Sequence, residues 1–318
     1  MKNIIDLNLE RLKKIDKFSR AHKAYTLELF LIEKEFGALY LQNHQLRIKA
    51  FGKPSSSPFP IKEIPKKLLN KFTMSKKIPI TYSYRDESYP SNHPYIYTDE
   101  QINFLIKMQE DGHEFYYGML DQHIISALKK YNVAGKKILN IGSVTPWYDA
   151  LCIRSGVKPI TVDYNKIISY SKRTTTLTLE ELRSSDLVFD FVLSISSVEH
   201  DGLGGYGDPI DPDGDLKSMK EMKKFVKPGG IMFFNVPIGE DRVIFNRERV
   251  YGKLRLPKLL NEWELIDSFG YNQDVLEGKH PGPPLLILKN IWTIVINLDI
   301  ISKNVIIIKK EISSNESP

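Results

Sequence analysis

The chain has little cysteine: among its 318 residues only Cys152 carries a thiol. A single thiol excludes an intramolecular disulfide and a thiolate metal cluster, and it is typical of a reducing compartment. The first residues, MKNIIDLNLERLKK, mix charged with apolar side chains, so no signal peptide is predicted. No run approaches the ~18 uncharged apolar residues of a membrane span. We therefore expect a cytoplasmic protein without a transmembrane segment.

The basic residues are unevenly distributed along the chain. Residues 1–135 carry 21 Lys and Arg against 15 Asp and Glu, whereas residues 136–318 carry 24 of each class. A basic excess attracts polyanions such as nucleic acid or anionic lipid. An ordinary lysine-rich surface explains the same excess, and we favour it. Nucleic acid is therefore not the expected partner, although a basic anchor for it stays an alternative.

Composition and spacing divide the chain into four segments. Apolar positions at three-to-five-residue spacing predict a helical N-terminal region over residues 1–51, through which the chain would form a homodimer. Residues 52–98 are rich in Pro, Ser and Tyr and predict a linker with an irregular segment. Residues 99–290 predict an α/β domain, and residues 291–318 form an isoleucine-rich extension.

Within the α/β domain, apolar runs alternate with helical patterns. Thr98 predicts a helix N-cap with Gln101 as its partner, and a second helix is expected over about 117–131. The predicted strands are 136–142, 159–165, a weak one near 174–178, 189–197 and 231–239, with 261–270 and 284–290 as a last antiparallel pair. Strands in alternation with helices predict a mostly parallel sheet with right-handed crossovers.

Small and polar residues follow the ends of the first two predicted strands. Gly142 leaves room for a ligand, and Ser143 and Thr145 stand where the next helix begins. Asp163 ends the second strand about 20 residues later, where a carboxylate would accept the hydroxyls of a ribose. The stretch GSVTPW lacks the GxGxxG repeat that seats a dinucleotide pyrophosphate, which argues against NAD. These residues predict a nucleoside-cofactor pocket, to which Ser196 would also belong.

The order of these pieces, with the KPGG turn and Glu199-His200 after the fourth strand, resembles class I S-adenosylmethionine-dependent methyltransferases over about residues 136–290. The pieces IGSVTPWYDA, TVDYN, SISSVEHDGLGGYGDPIDPDGDL, KPGG and FNRERVYGKLRLPKLL also resemble an uncharacterised family of methyltransferase-fold proteins first described in nematodes and found in bacteria. The resemblance implies a Rossmann-like methyltransferase sheet and S-adenosylmethionine as cofactor, and no particular substrate. The chain departs from the family pattern at Gly205, Glu248 and Asp163, where Arg, His and Glu are usual.

Glu199 and His200 are the candidate catalytic residues. His200 would remove a proton from an acceptor hydroxyl, and Glu199 would orient it or contact the cofactor. The alternative is that both side chains only satisfy backbone groups where the strand ends. Tyr206, Arg249 and Tyr251 are candidate substrate contacts, because arginines in this region can hold a carboxylate or phosphate. The alternative for the arginines is ion pairing with the acidic loop.

Five aspartates follow the fourth strand without a Lys or Arg among them. Asp201, Asp211 and Asp213 would hold Mg²⁺ and orient a diol substrate. The pairs Asp-Pro and Asp-Gly are equally typical of turns, and Asp213 or Asp215 would cap the following helix.

We therefore expect a methyltransferase that acts on a hydroxyl or similar nucleophile of a small molecule or glycan precursor. Two alternatives stay open. The missing glycine repeat and Gly205 would fit a catalytically inactive binding or assembly module. The basic N-terminal half would fit a nucleic-acid methyltransferase.

Overall fold

The computed structural model describes residues 60–86, 94–112, 117–278 and 283–291. The predicted N-terminal helices and the dimer they would form, and nearly all of the isoleucine-rich extension, lie outside these ranges. The segment boundaries at 51, 98 and 290 therefore stay predictions. Among the helices in the described ranges, none has the length and apolar character needed to cross a membrane.

The elements of the described residues follow one another in this order: α1 Lys66–Phe72, β1 Ile80–Tyr82, β2 Tyr95–Tyr97, α2 Asp99–Glu110, α3 Met119–Lys130, β3 Ile138–Ile141, α4 Trp147–Arg154, β4 Ile160–Asp163, β5 Ile167–Ser169, β6 Thr175–Thr178, α5 Leu179–Arg183, β7 Phe189–Ile195, α6 Gly214–Met222, β8 Val226–Asn235, β9 Arg242–Phe245, β10 Glu248–Val250, α7 Leu256–Leu259, β11 Trp263–Phe269, α8 Gln273–Leu276 and β12 Leu285–Asn290.

The described residues form a main sheet of seven strands in the order β11-β12-β8-β7-β3-β4-β6. Numbered along the chain within this sheet, the order from the β6 edge is 3-2-1-4-5-7-6. The strands from β6 to β8 are parallel, and β12 and β11 run antiparallel at the other edge. This is the Rossmann-like methyltransferase sheet with an antiparallel final hairpin that the sequence predicted.

Helices cover both faces of the sheet, which explains why its central strands are apolar without alternation. One core joins α2, α3 and α4 to Leu193 and Phe233. The other joins α6 and α7 to Val192 and Phe234. Thr98 begins α2 as predicted, because its side chain accepts a hydrogen bond from the amide of Gln101 at 3.2 Å.

The KPGG segment differs from its prediction. The sequence predicted a turn at 228–230 and a strand from 231, but β8 already begins at Val226. Phe189 pairs with Val226 and Phe191 pairs with Ile231, so the chain bulges at KPGG within the strand. The physical reason is that Val226 is apolar and buried, which favours its pairing with Phe189 of β7 before the glycines are reached.

A small cap lies beside the main sheet. Its three strands have the order β1-β9-β10, where β1 comes from the segment that the sequence left unassigned. Phe72 of α1 packs edge-on against Phe245 of β9 with ring centroids 5.8 Å apart. Leu203 and Ile210, from the loop after β7, pack in the same cluster. The cap therefore joins residues 60–86 to the loop that carries the candidate catalytic residues.

Candidate functional site

The loops that follow β3, β4 and β7 meet at one edge of the main sheet, where parallel α/β sheets bind ligands. Gly142 ends β3 with φ of 72°, and a Cβ there would lie 2.1 Å from the hydroxyl of Ser197 in the loop after β7. Position 142 therefore tolerates only glycine, since both the backbone angle and the close approach of Ser197 oppose a side chain.

Ser143 and Thr145 lie in the turn between β3 and α4, as predicted, but their polar groups partly bond to each other. The Ser143 hydroxyl donates to the Thr145 carbonyl at 2.6 Å. The buried Tyr97 hydroxyl donates to the Ser143 carbonyl at 2.5 Å. The turn is thus held in one conformation from both sides, and the Ser143 hydroxyl offers an incoming ligand its oxygen rather than its proton.

A buried carboxylate that sequence reasoning missed supports this turn from below. Asp149 on α4 is fully buried and accepts hydrogen bonds from Thr161 and Thr174, both at 2.6 Å, and from Asn140 at 3.1 Å. Burial raises the pKa of Asp149, and these three partners act against that rise. The network fixes α4 to β3 and β4. The signal in the sequence was polar residues within otherwise apolar strands.

Asp163 lies at the end of β4, as predicted for a ribose-binding acid. One carboxylate oxygen accepts the amide of Asn165 at 2.7 Å, and within the described residues the second oxygen has no partner. Burial raises the pKa of Asp163 to about 6. Tyr164 follows with 55% of its surface exposed, and its hydroxyl donates to the Gly207 carbonyl at 3.2 Å. The Asp163 carboxylate therefore fits a ribose diol, because its second oxygen has no partner within the described residues and can accept a hydrogen bond.

Glu199 lies at the same edge, in the short 3₁₀ turn Val198–His200 after β7. Its side chain is fully buried, and one oxygen accepts the Ser196 hydroxyl at 2.6 Å. The other oxygen is buried without a hydrogen-bond partner. Burial raises the pKa of Glu199, and the nearby Glu248 carboxylate adds to that rise. An unpaired buried carboxyl oxygen is costly and is typical of functional sites.

Ser196 itself has a left-handed backbone with φ of 47°, which is rare for a residue with a side chain. This conformation turns its hydroxyl toward Glu199. The side chain of Tyr117 also forms a hydrogen bond with Ser196, and burial raises the pKa of that phenol. Tyr117 is a site residue that the sequence analysis missed, since nothing in its local pattern distinguishes it from a packing tyrosine. The structure thus brings Ser196 to Glu199, and its assignment to the cofactor pocket stays a prediction.

His200 is oriented by the hairpin between β9 and β10. Its Nδ1 is hydrogen-bonded to the carbonyl of Arg247. A carbonyl can only accept, so Nδ1 carries the proton and Nε2 of the neutral ring keeps its lone pair. Nε2 lies 3.7 Å from the bonded oxygen of Glu199. The ring also lies against that of Tyr206, with centroids 5.1 Å apart. The candidate catalytic pair therefore has the arrangement of a base beside an acid that would stabilise its charged form.

Arg249 and Tyr251 are not at a surface where they would meet substrate, because both side chains are fully buried. The Arg249 guanidinium donates to the Asp201 carbonyl at 2.6 Å and to the Glu199 carbonyl at 3.4 Å. These two carbonyls flank His200. Arg249 also donates to the carbonyls of Asp211 and Pro212 at 3.2 and 3.5 Å, so it holds the loop after β7 in its fold.

The arginines also neutralise the acidic loop, which was the alternative expectation for them. Arg255 forms two hydrogen bonds with Asp215, at 2.8 and 2.5 Å, and Tyr251 adds a third at 3.0 Å. Asp215 is fully buried, and although burial acts to raise its pKa, Arg249 and Arg255 together lower it. Asp215 is therefore not a helix cap. Asp213 stands at the N-cap position of α6, without a side-chain capping bond.

The structure does not support the predicted magnesium site at Asp201, Asp211 and Asp213. Over residues 60–86, 94–112, 117–278 and 283–291, no cluster of three or more acidic, histidine or cysteine side chains is arranged to hold a metal ion. Asp211 pairs with Lys217, and Asp201 is bonded to Ser218. Asp208 accepts the amides of Gly202 and Gly204 at 2.7 and 3.1 Å. These carboxylates already have partners within the fold, and so they shape the loop.

Gly205, where the resembling family usually has Arg, has no space for a side chain. A Cβ at this position would lie 2.4 Å from the carbonyl of Asn246 in the β9–β10 hairpin. The departure therefore goes with a hairpin that approaches the loop closely. Glu248, the second departure, begins β10 and adds negative charge beside Glu199.

The chain was compared with family models, curated proteins and solved structures. A family model described as "Caenorhabditis protein of unknown function, DUF268" matches residues 135–277, a range that includes the whole loop after β7. No curated protein matches the chain.

Several solved methyltransferases are similar at low identity. One is the 1,6-didemethyltoxoflavin-N1-methyltransferase of Burkholderia thailandensis with 1,6-didemethyltoxoflavin and S-adenosylhomocysteine bound. It is 14% identical, with 60% of this chain and 87% of that chain covered at a TM-score of 0.41. A second is the N-methyltransferase NodS from Bradyrhizobium japonicum WM9 in complex with S-adenosylhomocysteine, at 14% identity, with 52% and 85% covered and a TM-score of 0.34.

A third is an S-adenosylmethionine-dependent methyltransferase from Clostridium acetobutylicum, at 12% identity, with 61% and 99% covered and a TM-score of 0.39. The strand order of the main sheet, with β12 antiparallel to both of its neighbours, is that of a Rossmann-like methyltransferase sheet.

Proposed function

We propose that this protein is an S-adenosylmethionine-dependent methyltransferase that acts on a hydroxyl or similar nucleophile of a small molecule or glycan precursor. The observation that carries the proposal is the position of His200. Its Nδ1 bonds to the Arg247 carbonyl, and its Nε2 lies 3.7 Å from Glu199. A residue that only satisfied backbone groups would not also need an unpaired, buried glutamate next to it.

The cofactor would be held at the ends of β3 and β4. Gly142 leaves the approach clear, Ser143 and Thr145 form the fixed turn, and the unpaired oxygen of Asp163 would accept the ribose hydroxyls. When bound, S-adenosylmethionine supplies a methyl group on a positively charged sulfur. The carboxylates at this edge favour a ligand of positive charge.

The chain's own contribution to the reaction would be alignment and a proton acceptor. Direct displacement at a methyl group needs the two reacting atoms in line, which fixed loops provide. Nε2 of His200 would take the proton of the acceptor hydroxyl as the new bond forms. Glu199 would stabilise the resulting imidazolium from 3.7 Å. Tyr206, beside the His200 ring, would contact the acceptor.

A second candidate is a methyltransferase-fold binding module without catalysis. It is supported by position 205, where the backbone excludes the arginine that the resembling family carries. Under this alternative the cofactor edge would be a remnant, and no acceptor would be methylated.

Calorimetric titration of S-adenosylmethionine and S-adenosylhomocysteine into the full chain tests both candidates. We expect micromolar binding of both ligands, followed by transfer of radiolabelled methyl groups to a hydroxyl acceptor that loses activity in His200→Gln. Absence of binding would contradict the proposal. Tight binding with His200→Gln still fully active would retain the cofactor assignment and remove the base.

A further inference from the structure

Residues 60–86 carry a concentration of positive charge that the proposed function does not use. Seven of these 27 residues are Lys or Arg and two are Asp or Glu, whereas residues 87–318 together carry 27 basic and 31 acidic residues. Six lysines of this segment are exposed: Lys62, Lys66, Lys67, Lys71, Lys76 and Lys77. The positive charge of the described residues is therefore concentrated in the segment 60–86, whereas residues 87–318 carry a slight acidic excess.

None of these six lysines forms an ion pair with another residue of the described ranges. Elsewhere Lys130, Lys217, Lys223 and Lys227 each pair with a carboxylate. The lysines of the cap thus keep their full charge for an external partner. Lys62 instead lies over the ring of Tyr84, 5.1 Å from its centroid.

Large apolar side chains are exposed among these lysines. Ile61, Leu69, Tyr82 and Tyr84 each have between 41% and 53% of their surface exposed. Tyr82 is tied to α1, which carries Leu69, because Tyr82 and Phe72 of α1 both pack on the ring of Phe245, at 5.9 and 5.8 Å. Lys62 joins Tyr84 to the residues that precede α1. Exposed cations and exposed apolar side chains are therefore interspersed within residues 60–86.

We propose that this surface docks on an anionic phospholipid bilayer, with the lysines at the headgroups and the four apolar side chains at the interface. Lysines near an anionic leaflet each add attraction, and tyrosine and aliphatic side chains are favourable at the boundary of the acyl region. Six of the seven cations are lysine and two of the four apolar groups are aliphatic. Single-stranded nucleic acids are bound mainly by arginine and stacked aromatic rings, so they fit this composition less well.

Co-sedimentation of the full chain with vesicles tests the proposal. We expect binding to phosphatidylcholine vesicles that contain about 30% phosphatidylglycerol, and little binding to phosphatidylcholine alone. Raising the salt from roughly 0.1 M to roughly 0.5 M should weaken it strongly, since salt screens exposed charges. Absence of binding to the anionic vesicles at low salt would overturn the proposal.

A matched pair of variants separates the cap surface from net charge. Lys66→Gln, Lys67→Gln and Lys71→Gln together should lower partitioning to anionic vesicles by about 100-fold. The control removes the same charge from exposed positions elsewhere, as Lys158→Gln, Lys220→Gln and Lys258→Gln. It should bind as the parent does. Equal losses in the two variants, or a negligible loss in the first, would place the attraction outside the cap and contradict the proposal.

A further variant distinguishes a bilayer from other polyanions. Leu69→Ser should weaken vesicle binding by about 3- to 10-fold while leaving retention on heparin unchanged, because only a bilayer offers an apolar region. Binding of a single-stranded oligonucleotide more tightly than vesicles, with loss in the same lysine variant, would assign the surface to nucleic acid instead.

Discussion

The loop after β7 consists of two parts that both contain acidic residues but differ in how their side chains are bonded. In residues 196–200, Ser196 has a strained left-handed backbone, and Glu199 has a buried carboxyl oxygen without a hydrogen-bond partner. Residues 201–215 hold groups whose bonds are made, such as Asp208 to glycine amides and Asp215 to Arg255. The comparison teaches that a high density of acids does not by itself indicate a reactive site. Incomplete hydrogen bonding is the feature that distinguishes the proposed catalytic part.

The same contrast applies to Arg249 and Arg255, since arginines in this region were expected to contact substrate. Arg249 and Arg255 have almost no exposed surface and bind carbonyls and a carboxylate of residues 199–215. A charged group that is buried and bonded to the chain in this way supports a neighbouring site by holding its loop in place.

The largest effect should come from breaking the buried pair in the second part of the loop. Arg255→Met leaves Asp215 buried without its two-pronged partner, and we expect a loss of about 3–5 kcal/mol in the free energy of unfolding. Denaturant titration measures it. The control is Arg183→Met, which breaks a similar pair with Glu221 at 2.7 Å on the exposed surface and should cost less than ~1 kcal/mol. Similar small losses in both would mean that the loop does not depend on this pair.

The next effect concerns the cofactor edge. Asp163→Ala removes the only acceptor proposed for the ribose, and we expect affinity for S-adenosylhomocysteine to fall about 100-fold, since hydrogen bonds to charged groups contribute ~1.5–3 kcal/mol each. The melting temperature should be nearly unchanged. Asp186→Ala, at an exposed aspartate, serves as the control and should bind as the parent does. Unchanged affinity in the Asp163 variant would remove the ribose assignment.

The affinity should also depend on pH through the same carboxyl group. Asp163 has a pKa raised by burial to about 6, and only its ionised form would accept both hydroxyls. Affinity should therefore be constant above pH 7 and fall about tenfold by pH 5. Calorimetry across this range measures it. In Asp163→Asn the slope should disappear, and a slope that persists there would point to another group.

The smallest effect tests the junction of the two parts of the loop. Burial raises the pKa of Asp201 to about 7, with Asp208 and Asp215 adding to the rise and Ser218 and Arg249 opposing it. Ionising an acid whose pKa is higher in the folded state destabilises the fold, and the cost grows from about pH 4 to pH 7. The free energy of unfolding of Asp201→Asn should therefore be about 1 kcal/mol higher than that of the parent at pH 8, and equal to it at pH 4.

Denaturant midpoints of the two proteins at both pH values measure this difference. A variant that is equally or less stable at pH 8 would show that Asp201 is stabilised as the ion by Arg249. It would then behave like Asp215 and belong to the bonded part of the loop.

Much of the main sheet follows from local signals. The stretches 189–195 and 285–290 are mostly apolar and long enough to predict buried strands, and Thr98 begins α2 by a local bond. Residues 61–98 gave no such signal. Strand β1 has only three residues, and its partner β9 lies about 160 residues further along the chain. Short strands paired over such distances have no pattern of their own.

The candidate site divides in the same way. Gly142, Asp163, Glu199 and His200 follow strand ends, so the parallel sheet alone brings them to one edge. The sequence does not show that Tyr117 reaches Ser196 or that the Arg247 carbonyl orients His200, because these contacts cross 79 and 47 positions of the chain.

The amino-acid sequence by itself determined the order of the strands of the main sheet along the chain, the antiparallel final hairpin and the edge where the loops after the parallel strands meet. These depend on hydrophobic periodicity and on the geometry of parallel sheets, which are local or general. Only the tertiary structure decided which acids are free to act. Pairing of Asp215 with Arg249 and Arg255, and the isolation of one Glu199 oxygen, depend on distances in space between segments far apart in the chain. Because neighbouring groups decide whether a buried charge is paired or unpaired, its role is determined only when the chain is folded.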